Sequence, residues 1–305
     1  MKKNLILAAC LFLLSACTGN RRDIRLTSEP SIERAFDIIS GTALGKPLMK
    51  FLYKNPVMFE YSNTAGICHK FALQKGAIFV PVEMRGSDLV LALSIARAAY
   101  IYRLYLLTGL EEIISEEEEL GALFQARLGL EINLVNGDFE KAENAAGLKS
   151  NFCSYIMEQS RYTMAQARKE ALSQDPDCQR PLDTLAGQQL WLGKMRQAMN
   201  NDNFNQLLYE RDLQRVRRGT LTMSEAMKND ARSRAMPTYE TYRFQRTFYD
   251  YQSAVFSNFT EIYYRELKED QAWRQAHKAD IDRARAEFSD CNMPETAVPA
   301  GKPGI

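Results

Sequence analysis

The stretch that most constrains this chain is 88–134, which predicts two consecutive helices. Residues 88–108 are apolar on nearly every side. A helix of that kind belongs inside a domain or inside a bilayer. Arg97 and Arg103 fall in its middle, where a bilayer would penalise a charge heavily, so the helix is read as the core of a folded domain. Ser87 is placed to cap its start, and Gly109 to end it in the left-handed conformation. The second helix, 116–134, opens on Glu116, Glu117, Glu118 and Glu119. Ser115 and Glu118 have the spacing of a capping box, and acidic residues suit the positive end of a helix. Most of the glutamate run is accordingly expected to cap and to be solvated. Arg97 is the exception in the pair. A buried guanidinium needs a counter-charge, so a structural salt bridge to Glu119 or Glu118 is expected.

Upstream, 57–61, 67–73 and 77–84 alternate as strands do, with the turn formers Ser62, Asn63, Thr64 and Gly66 between the first two. Pro81 cannot donate to a ladder, which predicts an edge strand or a proline on the free side. Downstream of Gly137 the sequence reads as helices to about residue 292. Thr222 and Glu225 form a second capping-box signature, and 239–264 carries ten aromatic residues. The aromatic stripe reads as core and interhelix packing rather than a carbohydrate platform. The expected fold class is α+β, mostly α: a small antiparallel sheet of two or three strands packed on a buried helix pair, then a helical C-terminal half. The expected organisation is a signal segment 1–16, a tether 17–30, an α+β core 31–137, a helical region 138–292 and a flexible tail 293–305.

The N-terminus carries an address. Lys2 and Lys3 precede an apolar run, 5–14, too short to span a bilayer as a mature helix. It ends in Leu14-Ser15-Ala16-Cys17. This resembles the lipobox of bacterial lipoproteins, in which the cysteine receives diacylglycerol and becomes the new N-terminus. The resemblance implies lipid attachment at Cys17 and a membrane partner through that lipid. Thr18 stands where such proteins carry aspartate for inner-membrane retention. That implies the outer membrane of a Gram-negative envelope, with the chain facing the periplasm. The chain holds 39 Lys+Arg against 38 Asp+Glu. A balance so near zero gives no field to steer it onto nucleic acid. Cys68, Cys153, Cys178 and Cys291 remain beside Cys10 and Cys17. In an exported chain an even set favours disulfides. No pair has close zinc-site spacing, and three pairings stay open.

A strand, a long buried helix and a second helix opening with glutamate is the order found in zincin-type metallopeptidases. Leu91-Ala92-Leu93-Ser94-Ile95-Ala96-Arg97-Ala98-Ala99-Tyr100 resembles the metal-binding helix of a bacterial family of that type. Its run reads leucine-alanine-H-E-x-R-H-alanine-aromatic. Arg97, Ala99 and Tyr100 match. The two histidine positions are Ser94 and Ala98, the general-base position is Ile95, and the second-helix acid is Glu119, followed by Gly121 and Ala122. Ser94, Ile95 and Ala98 cannot bind zinc or abstract a proton, and His69 and His277 are the only histidines. The resemblance therefore implies a catalytically inactive frame, with no metal and no cofactor. Two other arrangements would restore chemistry: a metal site to which Cys68 or His69 contributes with Glu119, and an acid–base pair of Glu83 with Glu119. His277, on a charged helix, is expected to be solvated. The sequence thus points to a lipid-anchored envelope protein that binds or scaffolds, with an extended envelope peptide or protein adding beside 77–84. The alternatives are an active envelope hydrolase with a site of another kind, or a purely structural helical lipoprotein.

Overall fold

A computed structural model of the chain describes residues 24–62, 71–72, 76–110, 114–143, 145–157, 184–200, 203–217, 221–236 and 238–291. The architecture is mostly helical with one small sheet. Helices α1 (Pro30–Gly41) and α2 (Gly45–Lys54) lead into strands β1 (Met58–Ser62), β2 (Phe71–Ala72) and β3 (Ala77–Pro81), and a 3-10 turn covers Val82–Gly86. Then come α3 (Asp88–Thr108), α4 (Ser115–Glu131), α5 (Asn136–Phe139), α6 (Ala146–Ile156), α7 (Leu185–Asn200), α8 (Phe204–Arg217), α9 (Met223–Arg234), α10 (Thr238–Ala276) and α11 (Lys278–Glu287).

Helix α3 has the predicted bounds and caps. The Ser87 side chain accepts from the Val90 amide, and Gly109 closes the helix at φ 75°. It is the one helix among the described residues long and apolar enough to cross a membrane, yet 67% of its apolar window is buried within the fold. It packs against α1, α2, α4 and α10, which explains why nearly every side is apolar. Helix α4 lies closely on it because small residues face the contact. A Cβ at Gly121 would sit 3.1–3.2 Å from Ile101 and Arg97 of α3, and on the side of α4 that meets α6 a Cβ at Gly129 would sit 2.8 Å from the Phe152 ring.

The sheet departs from the expected antiparallel meander. Its order is β1-β3-β2, with β1 parallel to β3 and β2 antiparallel to it. Sequence neighbours usually pair, but here β3 inserts between the first two strands. The predicted edge strand is therefore the central one. Pro81 is tolerated because it is the last residue of the ladder, opposite Ser62, where the 3-10 turn begins. The outer side of β1 is also engaged. The Phe59 amide donates to Leu26 O at 2.7 Å, and the Thr27 hydroxyl donates to Phe59 O at 2.8 Å. Leu26 and Thr27 are buried, so the expected tether is already docked on the fold by residue 26.

The helical half divides its packing. The aromatics 239–264 and the charged run after them form one helix, α10, about 58 Å long at 1.5 Å per residue. Its C-terminal part contributes Phe259, Tyr263 and Leu267 to the main core, together with α6 and α11. Its N-terminal part packs Phe248 and Tyr249 on a smaller cluster built on Met195, Ala198 and Phe204 of α7 and α8. The stripe is thus core on part of its surface only; Tyr242, Tyr251 and Tyr264 stay exposed. Thr222 and Glu225 form their capping box at α9. Cys153 on α6 and Cys291 after α11 are joined as a disulfide. It sits beside the packed rings of Phe139, Phe152 and Phe288. Cys17, Cys68, Cys178 and His69 lie outside the described residues.

Candidate functional site

Of the residues singled out from the sequence, Ser94, Ile95, Arg97 and Ala98 lie on α3 and Glu118 and Glu119 on α4, two helices that pack on each other. Ser94, Ile95 and Ala98 are all buried, at 1%, 0% and 5% exposure. Arg97, one turn away from Ser94, is 2% exposed. Its Nη2 donates to Glu118 Oε2 in a buried ion pair. Burial lowers the Arg97 guanidinium to about 10. At about 10 the group is still cationic at neutral pH.

The partner is Glu118, and the expected capping box does not form. Helix α4 starts one residue earlier than predicted, at Ser115, with Ile114 at its N-cap, and the Ser115 hydroxyl donates to Glu116. Glu118 is thereby turned into the interior. Glu119, the residue predicted as degenerate metal ligand and salt-bridge partner, accepts instead from the Tyr263 hydroxyl of α10 at 2.7 Å. Glu117 is 2% exposed. Glu116 accepts from the Leu185 amide at 3.1 Å and so caps α7. The glutamate run is therefore largely interior, which corrects its reading as a solvated face.

From Glu119 a polar seam continues between α4 and α10. Tyr100 stacks on Phe124 at 4.6 Å and lies beside Glu266 of α10. Arg127 lies 3.9 Å from Asp270, which also accepts from the Tyr155 hydroxyl at 2.8 Å. Arg274 donates to Tyr155 O and lies over the Tyr155 ring. Burial, with Glu266 and Asp270 adding to it, pushes the Tyr100 and Tyr155 hydroxyls well above their ordinary value. Tyr263, Glu266, Asp270 and Arg274 are spaced three, four and four residues apart, which is one face of a helix. That spacing was readable in the sequence and could have found the seam. His277 is not simply solvated; its ring stacks on Trp273 at 3.9 Å where α10 ends.

This set does not fit zinc. A serine, an isoleucine and an alanine occupy the positions of the two histidines and the base, and the remaining glutamate is turned to a tyrosine. Among the described residues no group of three or more His, Cys, Asp or Glu side chains is arranged to hold a metal ion. Glu83 lies on the 3-10 turn before α3, whereas Glu119 accepts from Tyr263 of α10. What the arrangement does chemically is lock helices: it holds charge in the interior by pairing it. Comparison with protein-family models, curated proteins and solved structures finds no match.

Proposed function

We propose that this chain is a lipid-anchored protein of the bacterial envelope that acts by binding rather than by catalysis, on a helix pair like that of a zincin-type metallopeptidase. The observation that carries the non-catalytic reading is the closure of α3 on α4. Positions 94, 95 and 98 hold no acid, base or ligand and are sealed from solvent, so no substrate bond could reach them. The anchor rests on Leu14-Ser15-Ala16-Cys17, where the acyl chains would hold the protein at the membrane. A partner adding a strand beside β3 is no part of the proposal, because β3 is flanked by β1 and β2.

The test has two arms. Cells of a Gram-negative host expressing the full chain, or its Cys17→Ser variant, are fed an alkyne-bearing palmitate and fractionated. Label on the wild type, its loss in the variant and recovery with the outer membrane are expected. The purified protein is then assayed for zinc by metal mass spectrometry and for casein cleavage, and neither is expected. Label that persists in Cys17→Ser overturns the anchor. One zinc per chain, or cleavage that co-purifies with the protein, overturns the non-catalytic reading.

A further inference from the structure

The near-zero net charge of the chain conceals a local asymmetry. Between Asp37 and Glu60 there is no acidic residue, and the cations in that stretch are Lys46, Lys50 and Lys54. All three lie on α2. A step of four residues turns a helix by about 400°, so the three stand within an arc of about 80°. Tyr53, seven residues after Lys46, returns to within about 20° of it. The three lysines and Tyr53 are exposed. The opposite side of α2 carries Leu48, Met49 and Leu52 into the main core. The helix is thus seated by one face and presents three ammonium groups and a phenol ring on the other. Among the described residues no carboxylate pairs with these lysines. Glu131, which reaches the start of α2, accepts from the Leu44 amide instead.

The stripe lies near the point at which the chain leaves the fold for Cys17. The Phe59 amide is bonded to Leu26 O, and Lys54 is five residues before Phe59, hence within about 18 Å of it. Seven residues lead from Cys17 to Ile24, the first described residue. Fully extended, they reach about 25 Å. An anchor in the bilayer therefore keeps this part of the fold within about 25 Å of the headgroups. The same short stretch adds Arg21 and Arg22 against Asp23.

We propose that the face of α2 bearing Lys46, Lys50 and Lys54 docks on the anionic phospholipid surface of the bilayer that holds the anchor, and so sets the orientation of the protein on the membrane. Phosphodiester headgroups supply charge opposite to the stripe, and each lysine close to such a surface favours contact by about five-fold. Tyr53 has the amphipathic ring that suits headgroup level. The inference rests on the lipid anchor at Cys17, which brings the stripe within reach of the surface.

The full chain, expressed in a Gram-negative host with the palmitate label, is extracted in nonionic detergent and reconstituted into vesicles. One set is phosphatidylcholine alone; the other is two parts phosphatidylcholine to one part phosphatidylglycerol. A bilayer-impermeant amine-acetylating reagent is applied as a short pulse, and each lysine is read by peptide mass spectrometry. Lys228 of α9 and Lys268 of α10, both exposed, are the references for chains facing outward. In the anionic vesicles Lys46, Lys50 and Lys54 should react at least about five-fold more slowly than in the neutral ones, relative to the references. Salt at about 1 M, where the Debye length is about 3 Å, should restore their rates. Lys46→Gln combined with Lys50→Gln, both on the exposed side of α2, should release Lys54. Label on Cys17 with equal lysine rates in both vesicle sets, or with protection that survives salt and the double variant, overturns the inference and leaves the anchor standing. No label on Cys17 overturns the anchor, and this inference with it.

Discussion

Glu118→Gln is the most informative perturbation of this fold. It keeps the shape of the side chain and removes the charge that faces Arg97. Arg97 is 2% exposed and Glu118 9% exposed, so water cannot replace the lost partner. Breaking a buried pair from one side costs about 3–5 kcal/mol, because the remaining charge is stranded. Arg97→Met strands the carboxylate instead, but a carboxylate can take up a proton, so a smaller loss of about 2–3 kcal/mol is expected. The double variant Arg97→Met with Glu118→Leu strands nothing. It should lie within about 1–2 kcal/mol of the wild type, since apolar replacements of buried pairs are often neutral or stabilising.

The assay is urea unfolding followed by circular dichroism at pH 7. With an m-value of about 3 kcal/mol per molar, Glu118→Gln moves the midpoint down by about 1–1.7 M. The two single losses should together exceed the double loss by at least about 3 kcal/mol, at or above the top of the range for groups in contact. Arg25→Gln serves as control, because the Arg25–Glu33 pair is exposed at 68% and 47% and such pairs contribute little. Single variants that each cost less than about 1 kcal/mol, with strictly additive effects, would refute the reasoning: Arg97 would then be hydrated in solution and the interface open.

The Cys153–Cys291 bond closes a loop with a sequence separation of 138. Chain entropy sets its contribution at about 5 kcal/mol at most, and measured losses for native bridges run about 2–5. Cys153→Ala with Cys291→Ala should fall in that window by urea unfolding, and a non-reducing peptide map should recover the 153–291 linkage; its absence, with unchanged stability, would remove the bridge. The buried tyrosines give a pH prediction. Tyr100 and Tyr155 are raised in the folded state by burial first, then by Glu266 and Asp270. The folded chain therefore keeps protons that the unfolded chain releases at about pH 10. This contribution to stability is complete below about pH 10 and is lost as pH rises above it. Absorbance at 295 nm should show at least two of the fourteen tyrosines silent in the native chain until it unfolds. All fourteen titrating at about pH 10 with native dichroism intact would contradict the buried placement.

What could be read from the sequence, and what could not, follows from the range of each signal. The bounds of α3 came from local chemistry: Ser87 and Gly109 act within one turn of the helix they close. The same holds for Thr222 and Glu225 at α9. The sheet was misread because its order depends on a non-local event, the insertion of β3 between β1 and β2, and no residue near Pro81 encodes it. The glutamate run was misread for a related reason. A run of four acids is usually solvated, and only the distant residues Arg97, Leu185 and Tyr263 make Glu118, Glu116 and Glu119 interior. Arg97 did signal that an acid must come to it. It could not say which of two neighbours would do so.

That choice matters for how the core is specified. Helix α3 is apolar on nearly every side, so burial alone sets no preferred rotation about its axis. Close packing at Gly121 fixes the distance between α3 and α4, but a small residue fits several rotations. The polar contacts discriminate among them. Successive residues on a helix point about 100° apart, so Glu118 and Glu119 cannot face the same neighbour. One goes to Arg97 on α3 and the other to Tyr263 on α10. A rotation of α4 by one residue would put Glu119 against Arg97 and leave Glu118 without its guanidinium. The penalty for stranded buried charge then falls on the wrong packing rather than the right one. On this argument the glutamate run sets the rotational register of a three-helix core. The variant that tests its strength is the same Glu118→Gln: it should broaden the native ensemble as well as lower its stability.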